Sequence, residues 1–232
     1  KKPTGRRISP ALERASAVLT LLRGLASGPN LENQRVVALT DVLPCVNRML
    51  SYTEYTSVSD VLDDGAENQT AKGQLHSNIS YVLLALLEGQ PDPVVVRRMI
   101  SALDWTHFAR HLKVLRLLIE GCILEGDDDG DTAQKKRRGR KAKQKPSDIQ
   151  VPEATSDPKT DRCAKWLTKE AFRFYTVVEK LRIAGSLLLA NPDPGDDAAL
   201  DAMDVVFRDI ETQNFFSDRV GQTEVVRDGR VE

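Results

Sequence analysis

The chain lacks several features that would indicate its biochemical class. Its 232 residues contain only three cysteines, and 33 Lys and Arg residues nearly balance 34 Asp and Glu residues. The cysteines at 45, 122 and 163 are widely spaced, which is typical of free thiols in a reducing compartment. The longest uninterrupted apolar run, at residues 82–87, is far shorter than the ~20 residues of a membrane-spanning helix. These absences exclude a disulfide scaffold and a membrane span within the sequence, and the overall charge indicates no particular partner.

Catalytic motifs are also missing. The sequence contains no glycine-rich phosphate loop, nucleophile elbow or Cys–His signature. His107 and His111 have the spacing that can hold a metal on one helix face, but no glutamate lies between them and the sequence indicates no third ligand. We interpret this pair as partly exposed helix residues. The sequence therefore predicts neither an enzyme nor a bound metal or cofactor.

Start and stop signals for helices recur along the chain. Ser9 and Pro10 precede apolar residues at helical spacing up to Gly28, which predicts a first helix. A second apolar pattern, at residues 34–52, is interrupted near Pro44 and predicts two short helices. Further helices are predicted at residues 71–88, 93–103, from 105 onwards, 163–190 and from 196 onwards. Wide apolar stripes and short loops favour a mainly α fold of stacked helical hairpins, similar to an armadillo-like α-solenoid.

Residues 125–161 form a charged insertion with almost no large apolar residue. Such a segment cannot offset the entropy lost on ordering, so we expect a disordered acidic and basic insertion. Its basic residues include Lys135, Lys136, Arg137, Arg138, Arg140 and Lys141. These residues could indicate nuclear localisation or nucleic-acid binding, but no aromatic residue lies among them for base stacking. We interpret them as a solvated block that can make electrostatic contacts, and we expect no bound nucleic acid.

The last twelve residues have the pattern of an incomplete β-hairpin. Residues 223–227 resemble a strand, the Asp-Gly pair at 228–229 suits a type I′ turn, and residues 230–232 begin the return. An isolated two-stranded hairpin is only marginally stable. We therefore expect the hairpin to pack against protein beyond Glu232, and we interpret the chain as the middle of a larger protein.

Three short segments occur in an order found in a known family. Their sequences are SGPNLENQ at 27–34, YVLLALLEG at 81–89 and GQTEVVR at 221–227. In order and spacing the chain resembles the later part of the homology-associated (RIH-associated) region of inositol trisphosphate and ryanodine receptors, the tetrameric intracellular calcium-release channels. The second segment is more similar to ryanodine receptors and the third to inositol trisphosphate receptors, the branch we favour. The residues that carry the resemblance are Gly28, Pro29, Asn33, Gln34, Leu86, Leu87, Glu88, Gly89, Gln222, Glu224, Val226 and Arg227.

The resemblance implies a domain organisation. It implies a RIH-associated-like helical domain at residues 1–124, followed by the disordered insertion at 125–161. A further helical segment would occupy residues 162–217, and residues 218–232 would begin the β-hairpin of an intervening lateral domain. The chain would then be a cytosolic segment that relays ligand binding to the channel pore.

The resemblance also implies partners and a location. The partners would be the rest of the channel polypeptide and neighbouring subunits of a homotetramer, and the segment itself would carry no small-molecule site. It would lie at the cytosolic face of the membrane of the endoplasmic reticulum or another internal store, and it would meet the membrane only through a following region. Two other interpretations remain, namely an independent α-solenoid scaffold and a nuclear or nucleic-acid-binding adaptor that uses the basic insertion.

One position departs from the family pattern. In the family, the helix before the Gly-Pro turn carries a glutamate that helps to bind activating calcium, whereas this chain has Gly24 at that position. Calcium requires oxygen ligands, and a glycine side chain supplies none. We therefore predict that this segment binds no calcium there.

Overall fold

The computed structural model of the chain describes residues 10–28, 30–56, 70–89, 92–128, 158–188 and 195–224. These residues are mainly helical and include no strand, which confirms the predicted α class. The helices are α1 (Pro10–Ala26), α2 (Leu31–Leu39), α3 (Val42–Tyr52), α4 (Ala71–Leu86), α5 (Pro93–Ala102), α6 (Trp105–Asp128), α7 (Pro158–Leu188), α8 (Asp196–Met203) and α9 (Ile210–Glu224), with a 3₁₀ turn at Asp204–Phe207. Within the described ranges, none of these helices is both long and apolar enough to cross a lipid bilayer.

Local capping explains where several helices begin. The Thr70 hydroxyl accepts a hydrogen bond from the Gly73 N–H at 3.0 Å, and the Asp92 carboxylate accepts one from the Val94 N–H at 2.8 Å. Such bonds satisfy backbone donors that the first turn of a helix leaves without partners. Pro44 lies in the first turn of α3, where its missing N–H is not needed. The predicted break between α2 and α3 and the predicted Asp92 cap are therefore confirmed.

Two predicted boundaries are wrong. α6 continues to Asp128 and α7 begins at Pro158, so both ends of the segment predicted to be a disordered insertion are helical. α9 continues to Glu224, so Thr223 and Glu224 are helical and not part of a strand. Once a helix has nucleated, each added residue gains a hydrogen bond at low cost, so helices extend beyond their apolar stripes. Residues 129–157, with the basic cluster, and residues 225–232 lie outside the described residues.

The helices share one hydrophobic core. It extends from Leu19 in α1 to Phe216 in α9, so the two predicted helical segments, 1–124 and 162–217, pack together. The most extensive contacts join α1 to α4 and α6 to α7, and α7 also contacts α4, α5, α8 and α9. α7 is therefore central, and α4 lies between it and α1. The stacking of hairpins as a solenoid stays a prediction.

Helix α4 is buried on nearly all sides. The apolar residues predicted to form its stripe are fully buried, among them Leu75, Ile79 and Leu83. The polar residues His76, Ser77, Asn78 and Ser80 are buried as well. Buried polar groups need hydrogen-bond partners, so the surroundings of α4 are where polar side chains from several helices meet.

Candidate functional site

The first polar site surrounds the side chain of Gln34. Its Nε2 lies within hydrogen-bonding distance of the carbonyl oxygens of Ala26 (3.4 Å), Gly28 (3.2 Å), Ala85 (2.9 Å) and Glu88 (3.3 Å). Four surrounding acceptors fix which end of the amide carries the nitrogen. The carbonyls belong to the ends of α1 and α4, where helical partners are missing. These five residues form the Gln34 junction, which joins the two helix ends.

A second contact strengthens the Gln34 junction. The Gly28 N–H donates a hydrogen bond to Glu88 Oε2 at 2.8 Å. Gly28 has φ +83°, a left-handed conformation that side chains disfavour, and this lets the chain turn between α1 and α2. Leu86 and Leu87 are fully buried beside this contact. Two of the segments that carry the family resemblance therefore contact each other.

The other residues that carry the resemblance do not take part in this contact, and some of them lie outside the described residues. The Asn33 N–H donates to Asn30 Oδ1 at 3.1 Å and caps α2, and Gly89 has φ +77° at the end of α4. Gln222 and Glu224 lie in α9. The residues outside the described ranges are Pro29, Val226, Arg227, Lys135, Lys136, Arg137, Arg138, Arg140 and Lys141.

Gly24 lies within α1 and faces open space. No atom outside its immediate surroundings lies within 4 Å of the position that a Cβ would occupy. A side chain larger than hydrogen would therefore meet no obstacle at this position. The prediction that this position holds no calcium stays untested.

The second polar site contains His76 from α4, His111 from α6 and Glu170 from α7, which we call the histidine–glutamate cluster. His76 and Glu170 are fully buried and His111 is 3% exposed. Glu170 Oε1 lies 3.7 Å from His76 Nδ1 and 4.0 Å from His111 Nε2. The imidazole rings of the two histidines are 4.9 Å apart between centroids. The cluster thus joins three helices at the centre of the core.

Neighbouring residues orient the histidine–glutamate cluster. The Tyr55 hydroxyl donates to Glu170 Oε1 at 2.8 Å, and Thr53 Oγ1 lies 2.7 Å from His76 Nε2. The Thr53 hydroxyl has one proton, which it donates to the Met49 carbonyl oxygen at 2.5 Å. His76 must therefore donate from Nε2, which leaves a lone pair on Nδ1 that faces Glu170.

Burial controls the charge of this cluster. It raises the pKa of Glu170 to about 8, although the hydrogen bond from Tyr55 and the charge of Arg173 act in the opposite direction. Burial, with the charge of Lys72, lowers the pKa of His111 to about 3. Burial and His111 hold the pKa of His76 well below its usual value. Both imidazoles are consequently neutral near pH 7.

The structure corrects the interpretation of the two α6 histidines. His107 and His111 were predicted to be a pair of partly exposed residues, but His111 is buried between α4 and α7. His107 is partly exposed and its Nδ1 lies 2.6 Å from Asp104 Oδ2. The His111 ring contacts His76 of α4 and Phe174 of α7, with centroid distances of 4.9 and 4.5 Å.

Glu170 was not predicted as a site residue, although the sequence contains a signal for it. Glu170 lies three residues after Leu167 and four before Phe174, both of which are fully buried. A charged residue at such a position interrupts an apolar stripe, which indicates a specific polar partner in the core. The identity of that partner depends on the opposing helices and cannot be read from spacing.

A groove of about 430 Å³ lies between α1 and α3. Its walls are mainly apolar and include Val18, Leu22, Val42 and Met49. Further large apolar side chains on α1 and α2 are exposed, among them Leu21, Leu25, Val36 and Leu39. Exposed apolar surface of this extent is typical of a surface that contacts another protein segment.

Comparison with known protein families gives no match, and neither a curated protein nor a solved structure matches the chain.

Proposed function

We propose that the chain is a cytosolic coupling segment of an intracellular ligand-gated calcium-release channel similar to inositol trisphosphate receptors. The observation that carries this proposal is the contact between segments 27–34 and 81–89 through Gln34 and Glu88. These segments are about 50 residues apart in sequence and were singled out only by their resemblance to the family. The Gln34 junction gives that resemblance a physical reason, because both segments are needed to join α1 to α4.

The Gln34 junction supports a mechanical role without chemistry. A buried hydrogen-bond network makes a packed region rigid, and α4 contacts α7 over a wide surface. A displacement of α1 would therefore be passed to α4 and α7 as a single body. In the proposal, the armadillo-like stacking provides the arm that passes the movement towards the pore.

The apolar groove between α1 and α3 supports the existence of a further protein partner. In a channel, that partner would be another part of the polypeptide or a neighbouring subunit of the tetramer. The scaffold interpretation explains the same groove with an unrelated partner. The two functions differ in what they require of the complete protein, and this difference can be measured.

The first experiment determines which polypeptide carries the chain in its native cells. An antibody raised against the purified chain is used to isolate the polypeptide from membrane and supernatant fractions, and its size is measured by mass spectrometry and native gel. We expect a large tetrameric integral membrane protein in the endoplasmic reticulum fraction. Recovery of a small polypeptide from the supernatant alone would reject the channel and favour the scaffold.

The second experiment measures coupling in the complete protein. Gln34→Leu removes the donor of the Gln34 junction, and Gln74→Leu is the matched control because Gln74 is exposed on α4. Coupling energies between sites correspond to about 5- to 150-fold changes. We expect Gln34→Leu to reduce inositol trisphosphate-induced calcium release by at least about tenfold while ligand binding is unchanged. Equal release from both variants would contradict a coupling role.

A further inference from the structure

We propose that His76, His111 and Glu170 bind a zinc ion that joins α4, α6 and α7. Each histidine offers one imidazole nitrogen, and Glu170 offers a carboxylate oxygen. These three atoms all lie within 4.8 Å of one another. The site needs nothing from the channel proposal, and it was not predicted from the sequence, which indicated no metal.

Hydrogen bonding within the histidine–glutamate cluster is incomplete. One buried atom of each side chain has no hydrogen-bond partner among the described residues. These atoms are His76 Nδ1, His111 Nε2 and Glu170 Oε2. A buried polar atom without a partner destabilises the fold. The distances from Glu170 Oε1 to the two nitrogens, 3.7 and 4.0 Å, exceed the 2.7–3.2 Å of a hydrogen bond, so the three side chains do not satisfy one another.

The same distances suit a shared ion. Zinc bonds to histidine and carboxylate ligands are about 2.0–2.2 Å long, which places tetrahedral ligand atoms about 3.4 Å apart. Small side-chain rotations would close the observed distances to that value. Glu170 Oε2 offers a fourth donor atom if the carboxylate binds through both oxygens.

The donor set selects the kind of ion. Two imidazole nitrogens and one carboxylate suit zinc and related transition metals, whereas calcium and magnesium prefer oxygen ligands alone. Metals bind neutral imidazole and ionised carboxylate, so binding of the ion would release the proton that burial favours on Glu170. The proposed ion is therefore chemically distinct from the calcium ion of the family.

The surroundings of the cluster resemble the outer ligand shell of a metal site. Thr53 Oγ1 accepts a hydrogen bond from His76 Nε2, so His76 Nδ1 faces Glu170. The Tyr55 hydroxyl donates a hydrogen bond to Glu170 Oε1. Such outer hydrogen bonds fix ring tautomers and carboxylate orientation at metal sites. Because all three ligand residues are at most 3% exposed, the ion would fasten helices together and would not meet a substrate.

Metal content provides the first test. The full chain is denatured with a chelator, refolded with or without ZnCl₂ and dialysed, and zinc per chain is then measured by plasma mass spectrometry. We expect one zinc ion per chain, and Glu170→Gln should lose it. Zinc at 100 times its dissociation constant should raise the folding equilibrium constant about 100-fold in the native chain and leave it unchanged in Glu170→Gln.

Two controls exclude other zinc ligands. His107→Ala removes the partly exposed histidine of α6, and the triple variant Cys45→Ser, Cys122→Ser and Cys163→Ser removes all three thiols. Both should bind zinc like the native chain. Loss of zinc in either control, or retention of zinc in Glu170→Gln, would show that the ion binds elsewhere. Either result would overturn the proposal. The absence of bound zinc in the native chain would overturn it as well.

Tyr55→Phe tests the site without removing a ligand. This variant keeps the ring and removes only the hydroxyl that holds Glu170. Outer-shell substitutions typically weaken metal binding by 10- to 100-fold, so we expect a loss of about this size by competition with a chelator of known affinity. An unchanged affinity would contradict the arrangement, and circular dichroism of each variant verifies that it is folded.

Discussion

The Gln34 junction and the histidine–glutamate cluster are both buried polar sites, but they differ in how their hydrogen bonds are satisfied. At the Gln34 junction, the two N–H groups of one amide nitrogen are shared among four carbonyl oxygens, and Gln34 Oε1 has no partner among the described residues. In the histidine–glutamate cluster, an atom of each of the three side chains lacks a partner there. At the Gln34 junction the buried carbonyl oxygens share a donor that joins two helix ends, whereas in the histidine–glutamate cluster buried acceptors face one another without a shared donor among the described residues. The comparison separates a structural site from a candidate binding site.

The largest expected effect is at the Gln34 junction. Gln34→Leu leaves several carbonyl oxygens at the helix ends buried without their donor, at about 1–3 kcal/mol each, so we expect a loss of about 3 kcal/mol in the free energy of unfolding. Gln74→Leu on the exposed face of α4 should change stability by less than about 0.5 kcal/mol. Urea unfolding followed by circular dichroism measures both. Equal losses would show that the junction contributes nothing specific.

Asp92 is a second satisfied buried group, near the same helices. Its carboxylate caps α5 and accepts a hydrogen bond from Arg35 of α2. Asp92→Ala should cost about 1–2 kcal/mol, because it removes the cap and an ion pair with a half-exposed arginine. Asp92→Asn, which keeps an acceptor for the cap, should cost less. Urea unfolding at neutral pH compares the two.

The same carboxylate predicts a pH dependence. Burial raises the pKa of Asp92, but the hydrogen bonds from Arg35 and the backbone outweigh it, so the pKa in the fold lies below the usual 3.8. The ionised form is therefore favoured by folding, and its contribution is present above pH 3.8 and is lost as pH falls through the lowered pKa. The stability difference between the native chain and Asp92→Asn should shrink on acidification. A difference that grows on acidification would reverse the assigned direction.

Gly24 and Gly28 lie on either side of the end of α1, and alanine substitutions at the two positions should have opposite effects on stability. Gly28 has φ +83°, which an alanine adopts only with strain, so Gly28→Ala should lower stability by about 1 kcal/mol. Gly24 lies inside α1 with open space around it, so Gly24→Ala should raise stability by about 0.5–1 kcal/mol. Opposite shifts in the urea midpoint would confirm the turn. Shifts of the same sign would contradict it.

The smallest expected effect is at the histidine–glutamate cluster without metal. Glu170→Gln keeps the shape of the side chain and an acceptor for the Tyr55 hydroxyl. Its amide also supplies a donor that can face the lone pair of His76 Nδ1, so we expect a change of less than about 0.5 kcal/mol, or a gain. Thermal unfolding in chelator measures this effect. A large loss would show that the carboxylate itself stabilises the core.

Local signals in the sequence predicted much of the fold. Pro44 predicted the break between α2 and α3, and Asp92 with Pro93 predicted the start of α5, because capping and the missing proline N–H act within a few residues. The strand predicted at residues 223–227 is wrong for Thr223 and Glu224. A short apolar run is compatible with both a helix and a strand. α9 extends into the first two residues of the run at 223–227.

Contacts across helices could not be predicted in this way. The resemblance singled out Gln34 and Glu88, but only the structure places Glu88 against Gly28. His111 was paired with His107 because spacing shows which residues share a face of one helix and does not show what faces them. Glu170 was not predicted at all.

The sequence by itself determined the helical class, most helix starts and the apolar stripes, since these depend on backbone hydrogen bonding and on periodicity within one segment. Tertiary structure alone decided that α7 is central and that His76, His111 and Glu170 meet between three helices. The physical reason is that the partner of a buried polar group comes from another helix, and its position depends on how all the helices pack.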